Sequence, residues 1–444
     1  MANPVLTPTH RLIFRLEIAN LPGMFAQVAR AVGDHGCSLG AIDLVEATLR
    51  SVDGVNVRNV SDRAFLMHLG GKIEVKGRVS VRTRDDLSLV YTPGVARICR
   101  AIAEDPERSW ALTIRANSVA IVTDGSAVLG LGNIGPLAAM PVMEGKALLF
   151  AELAGITAFP LILDTASPAE IIETVERVAP AFGGINLEDI AAPACFEIER
   201  TLRERLDIPV FHDDQHGTAI VVLAALRNAI AVCGADLQSL RIVVNGAGAA
   251  AIATARLLRA AGARDVVLCD RSGVLGPERT DLNGEKRAVL DELGAPRVRG
   301  GLADAMAGAH AFIGLSAPRT LSTAMLRSMA RPRIVFALAN PDPEIDPLDA
   351  AGEVDVMATG RSDYPNQVNN ALAFPGVFRG LLDARAKGVS TEIALAAATA
   401  LAAVVPDNVR SAEYILPSIF DAAVVPAIAQ AVTSATRTAG LARR

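Results

Sequence analysis

Along most of the chain, short apolar runs of strand length alternate with longer stretches whose apolar residues recur every three or four positions. In residues 85–217 the runs Val119 to Thr123, Pro160 to Leu163 and Val210 to His212 read as strands, and Pro168 to Val178 reads as a helix. In residues 218–384 strands are expected at Ile242 to Asn245, Val266 to Asp270, Ala311 to Gly314, Ile334 to Ala339 and Val354 to Ala358. Strands buried on both faces lose the in-out alternation, so this order implies parallel sheets covered by helices on both sides. The expected fold class is α/β: a Rossmann-type doubly wound nucleotide domain over residues 218–389 and a second α/β catalytic domain over residues 87–217.

The two ends read differently. HRLIFRLEI alternates like a strand, Pro22 and Gly23 break it, Met24 to His35 is helical and Leu39 to Val45 is a second strand. That order resembles an ACT domain, a small α+β regulatory fold, although Glu46 to Gly54 is too brief for a third strand and a full second helix. Residues 1–86 are therefore expected to form an ACT-like regulatory or dimerisation module, with or without a small-molecule effector. Residues 390–444 are expected to be helices that pack back on the catalytic domain.

Composition narrows the function classes. The chain has 444 residues, enough for two large domains, and its 51% hydrophobic fraction comes with only 4% aromatics, so cores of small and aliphatic side chains are expected. A net charge of −5 leaves no basic stripe for a nucleic acid backbone. The start lacks a signal core, and the apolar late stretch Ile393 to Val405 is too short to span a membrane, so a cytoplasmic protein is expected. Cys37, Cys99, Cys195, Cys233 and Cys269 are dispersed, which fits neither a disulfide framework nor a thiolate zinc site.

The segment RIVVNGAGAAAIATARLLRAAG carries the clearest local motif. Gly246 permits a tight turn after a strand, Gly248 lets a pyrophosphate approach the backbone, and Ala251 allows close packing of helix on strand, while Ala247 and Ala249 complete the loop beneath the helix N-terminus. The next strand ends in Asp270, about 20 residues on, where a carboxylate can hold the adenosine ribose. Asp270 favours NAD over NADP, although Arg271 and Ser272 follow it as possible acceptors of a 2′-phosphate. A second glycine run, Gly130 to Gly135, is broken by Pro136 and is expected to floor the active cleft.

Three groups carry candidate chemistry. Tyr91 precedes TPGVAR, in which Thr92 is the expected N-cap and Pro93 the first helical residue. Lys146 lies on one helical face with Val142, Met143, Leu149 and Phe150; burial there would lower its pKa toward that of a general base, and a snorkelling lysine or a core salt bridge is the alternative. Glu188 and Asp189 in GGINLEDI, with Asp213 and Asp214 after IPVF, offer oxygens for a hard divalent cation, Mg2+ or Mn2+. Zinc on His212 and His216 is the rival, but the intervening acids and the lack of a third histidine or nearby thiolate count against it.

YTPGVA, TDGSAVLGLGNIGP, MPVMEGK, LEDI, FHDDQHGTA, NGAGAAA, ANPDPE and NNALAFPGVFRG occur here in the order and at the spacing of bacterial malic enzymes, and the resemblance covers about residues 59–425. It implies that Tyr91 is similar to the family's general acid and Lys146 to its general base. It also implies that Glu188, Asp189 and Asp214 match the metal ligands, and that Asn340, Asn369 and Asn370 match asparagines around nicotinamide and substrate. One departure is Ala127, where larger eukaryotic members have an arginine for a malate carboxylate. The implied activity is oxidative decarboxylation of L-malate to pyruvate and CO2 with NAD or NADP, in a homodimer or larger homo-oligomer. Malolactic or oxaloacetate decarboxylase chemistry on the same fold is the alternative within that class; a nucleotide-sensing regulator with an ACT-like module is the alternative outside it.

Overall fold

The structure is a computed structural model that describes residues 12–19, 21–33, 49–128 and 130–443. The chain divides into two compact units, residues 1–75 and residues 76–444. In the first, strand β1 (Leu12–Ile18) pairs antiparallel with β2 (Val55–Asp62), and the helix Met24–Gly33 accompanies them. The strand expected at Leu39 to Val45 lies outside the described residues. The reading did not anticipate β2, because its only apolar residues, Val55, Val57 and Val60, are separated by charged and amide side chains.

The larger unit holds two sheets. The first is a four-stranded parallel sheet in the order β4 (Thr157–Ile162), β3 (Ser118–Thr123), β5 (Gly184–Leu187), β6 (Val210–His212). β3 is buried at all six positions, the continuous apolar run of a strand covered on both faces. The helix Pro168–Val178 starts where Ser167 accepts the Glu170 amide and Pro168 presets φ. Tyr91 to Gly94 depart from expectation: a helix Arg84–Val90 with a Thr83/Asp86 capping box precedes them, and the next helix is Val95–Glu104. Thr92 is therefore not an N-cap. The Gly94 amide bonds Ser88 O at 2.8 Å, so the turn folds back on the preceding helix and delays the next start by two residues.

The second sheet has the order β12 (Val356–Thr359), β11 (Ile334–Ala337), β10 (Ala311–Gly314), β7 (Arg241–Asn245), β8 (Asp265–Asp270), β9 (Gly273–Val274), parallel except for β9. Strand order reverses between β7 and β10, and such a switch point opens a crevice at the strand C-termini where nucleotides bind. The helix Asp213–Cys233 packs on the helices Ala249–Ala260 and Thr391–Ala403 and is buried along most of its length. By length and composition it could cross a membrane, but 67% of its apolar window lies inside the protein, which makes it a core helix. The late helices Thr391–Ala403 and Val424–Thr438 pack back on the body: Asn228 donates to Ala402 O and Ile415 O, both at 2.9 Å.

Candidate active site

Buried charge gathers at the C-terminal ends of β5 and β6. Glu188 and Asp189 follow β5, Asp213 and Asp214 open the helix after β6, and Lys146 reaches them from the inner face of the helix Pro136–Ala154, which also buries Ala139, Met143, Ala147 and Phe150. The Lys146 ammonium bonds Glu188 Oε2 and, at 2.5 Å, Asp213 Oδ2, and lies 4.5 Å from the centre of the Phe374 ring. Glu188 also accepts from Asn186 Nδ2 at 3.0 Å, and Asp214 accepts the Asp189 amide at 2.8 Å.

The electrostatics reverse one expectation. Burial alone pulls the Lys146 pKa down, but Asp213 and Glu188 more than offset it, so the ammonium is held above its ordinary value. Its geometry is a buried salt bridge with two carboxylates. Burial in turn pushes up Glu188 and Asp214, and takes Asp213 to about 8 despite the lysine. The three carboxylates have one ammonium among them, and the excess negative charge is what a bound cation neutralises. Glu188, Asp189 and Asp214 each place one carboxylate oxygen within 4.8 Å of the others. An all-oxygen set of this kind fits a hard cation such as Mg2+ or Mn2+. The histidines are engaged otherwise: His216 Nε2 bonds Glu199 at 2.8 Å, and His212, whose Nδ1 lies 3.7 Å from Asp214, is lowered by burial to about 4 and stays neutral.

The asparagines approach from the other half. Asn370 packs against the N-terminal part of the helix Asp213–Cys233: a Cβ built on Gly217 would stand 3.3 Å from the Asn370 Cβ. Asn369 caps the following turn by accepting the Ala371 amide at 2.9 Å. Asn340 lies beyond β11, and its carbonyl would be 2.8 Å from a Cβ on Gly130, a residue at φ +76° where only glycine fits without strain. The glycine run after Ala127 thus meets the Asn340 turn, while the Ala127 amide is tied to Asp189 O at 2.9 Å. Tyr91 is placed otherwise. It ends the helix Arg84–Val90, is 68% exposed, and has no hydrogen-bond partner for its phenol among the described residues.

At the switch point, Gly246 adopts φ +126°, and a Cβ there would stand 2.4 Å from Leu315 O. The turn therefore threads between β7 and β10. Ala251 is buried behind it, and Gly248 caps the helix Ala249–Ala260 with no side-chain acceptor, so Ala247, Gly248 and Ala249 frame first-turn amides open to a phosphate. Asp270 ends β8 but is already engaged. It accepts from Arg279 at 2.7 and 3.1 Å, from Lys286 at 2.6 Å and from the Ser272 amide at 2.9 Å. Burial would raise its pKa, and these donors instead hold it at about 2.

Sequence reasoning missed four contributors. Asp213 was grouped with Asp214 as a possible cation ligand, whereas it is the lysine's partner. Asn186, Phe374 and Glu199 gave no signal beyond a polar residue in an apolar strand, an aromatic in an apolar run and a glutamate in a charged helix.

A dinucleotide turn at a switch point, joined in one body to a buried lysine and carboxylate centre, defines a nucleotide-linked α/β oxidoreductase with a cation site. The malic enzyme N-terminal domain family matches residues 70–169 and the malic enzyme NAD-binding domain family matches residues 215–437. The chain is 50% identical to the NAD-dependent malic enzyme of Geobacillus stearothermophilus, over 98% of this chain and 95% of that protein. It is 51% identical to the bifunctional malic/malolactic enzyme of Bacillus subtilis, over 84% and 92% of the two chains. The crystal structure of the NAD-dependent malic enzyme from Thermotoga maritima superposes with a TM-score of 0.81 at 45% identity, covering 84% of this chain and 99% of that one. The chain belongs to the malic enzyme family.

Proposed function

We propose that this protein oxidises and decarboxylates L-malate to pyruvate and CO2, passing hydride to a nicotinamide dinucleotide in the presence of a divalent cation. The observation that carries the reading is the buried centre at the ends of β5 and β6, where a lysine meets more carboxylates than it can neutralise. Lys146 accepts the proton of the C2 hydroxyl as hydride leaves C2, Asn340, Asn369 and Asn370 orient substrate and nicotinamide, and Tyr91 protonates C3 of the enolate that remains after CO2 departs. Glu188, Asp189 and Asp214 would hold a divalent cation, which would supply Lewis acidity at the C2 oxygen for the decarboxylation. Lys146 must first shed a proton. A cation at these carboxylates would offset the charge that stabilises the ammonium and so would bring the lysine toward the base it has to be.

Asp270 favours NAD, and Arg279 and Lys286 beside it let NADP bind as well. A malolactic outcome, with hydride returned to give lactate, is the second reading, favoured by the identity with the Bacillus subtilis protein. We also read the chain as a homodimer or larger: the helices Arg84–Val90 and Val95–Glu104 bury none of their residues, although they carry Leu87, Leu89, Val90 and Ile98. Residues 1–86 fit a regulatory or dimerisation module of that assembly. Sedimentation of the full chain tests the oligomer. Purified protein with L-malate, Mn2+ and each nicotinamide in turn tests the activity, with pyruvate and lactate measured separately.

A further inference from the structure

The helix Asp213–Cys233 begins without a side-chain cap of its own, since His212 makes no capping bond. Its first turn is held from outside. Glu199, buried at 5% exposure on the helix Ala194–Arg205, accepts the His212 amide at 3.2 Å and His216 Nε2 at 2.8 Å, and takes Gln215 Nε2 at 3.1 Å on its other oxygen. Arg203 stands 3.9 Å away on the same helix. In a capping box the third residue of a helix reaches back to the N-cap amide; here a carboxylate from a neighbouring helix takes that amide and also ties down two first-turn side chains. Asp213 and Asp214, the lysine's partner and a member of the three-oxygen set, lie between the clamped residues 212 and 215.

We propose that Glu199 is the positioning residue of the cation centre: it fixes the first turn of the helix Asp213–Cys233 and so sets where Asp214 presents its carboxylate. The inference rests on the reading of Glu188, Asp189 and Asp214 as the cation site. Groups behind a ligand that lock its orientation commonly change metal affinity by about 10- to 100-fold. Both oxygens of Glu199 accept, and glutamine in its place keeps the length but loses the charge facing His216 and Arg203 and one of the two acceptors, so that Gln215 is held only by turning its own amide over.

The test is titration of the full-length protein with Mn2+, followed by the electron paramagnetic resonance of free Mn2+, for wild type and Glu199→Gln, together with NAD affinity and melting without added cation. The expected result is an Mn2+ dissociation constant raised about 10- to 100-fold, with NAD affinity and melting retained and malate turnover recovered as Mn2+ is raised. Mn2+ affinity equal to wild type overturns the proposal, as does a parallel loss of NAD and Mn2+ affinity, which would mark general loosening. Should Glu199→Gln not fold, His216→Asn removes one arm of the same clamp and is expected to weaken Mn2+ binding by a smaller factor; unchanged binding there overturns the proposal equally. Failure of the wild type to bind Mn2+ sinks the cation site itself, whereas normal binding by the variants sinks the clamp alone.

Discussion

The two halves of the large unit solve opposite electrostatic problems. In the catalytic half, Lys146, Glu188 and Asp213 are withdrawn from water into an unbalanced cluster in which burial raises the carboxylate pKa values and the carboxylates raise that of the lysine. In the nucleotide half, the charges at Asp270, Arg279 and Lys286 are partnered near the surface, and the site proper is backbone: a glycine turn and the open amides of one helix. A side-chain site of the first kind is chemically powerful and costly to perturb, because removing one partner strands another in a low-dielectric interior. A backbone site of the second kind tolerates side-chain changes around it and tunes rather than abolishes binding.

The largest contrast is expected from Lys146→Ala. It removes the proton acceptor and leaves Glu188 and Asp213 uncompensated, so malate oxidation is lost and stability falls by about 3–5 kcal/mol. Denaturant melts beside an assay of reduced cofactor check both; near-normal oxidation would return Lys146 to a structural salt bridge. Tyr91→Phe separates chemistry from stability. Its exposed phenol has no hydrogen-bond partner among the described residues, so stability is expected unchanged to within about 0.5 kcal/mol, while exchange of pyruvate methyl protons with heavy water drops by about 10²- to 10⁴-fold. Undiminished exchange would assign C3 protonation to another group. Asp214→Asn keeps the shape of the side chain and is expected to raise the Mn2+ requirement by more than the roughly 10- to 100-fold that outer-shell changes cost; full wild-type activity in excess chelator would remove the cation from the account.

The smallest effects belong to Asp270. Asp270→Ser is expected to narrow the ratio of kcat/KM for NAD over NADP without loss of turnover, and a ratio already favouring NADP in the wild type would show that the basic pair dominates. The same carboxylate gives a pH signature. Its folded pKa of about 2 lies below the ordinary value of 3.8, so its stabilisation is present above about pH 4 and is lost as pH falls through 2. After allowance for screening this amounts to about 1 kcal/mol, read as a melting difference between wild type and Asp270→Asn at neutral pH that closes in acid.

Legibility followed the same division. The turn at Gly246 and Gly248 was readable because its meaning is local: a strand, a tight bend and a small-residue helix within one short segment. Most strands of both sheets were readable as apolar runs, such as β3 and β10, each buried at every position, whereas β5, whose four residues GINL include a glycine and an asparagine, was not. The partnership of Lys146 with Asp213, separated by 67 residues, has no local pattern, and the direction of the lysine pKa turned on that partner rather than on burial. Glu199 was illegible for the same reason: its partners at 212, 215 and 216 come from another helix. The ion pairs at Asp270 likewise depend on Arg279 and Lys286 folding back beside β8.

One measurement bears most directly on the central claim that the buried lysine and carboxylate centre turns over malate. Purified full-length protein is incubated with L-malate and NAD, with and without Mn2+, and NADH, pyruvate and lactate are followed together. The account predicts NADH and pyruvate rising in equal amounts, only with the cation. Lactate without net NADH would contradict it in favour of the malolactic reading, and equal rates in excess chelator would contradict the role given to Glu188, Asp189 and Asp214.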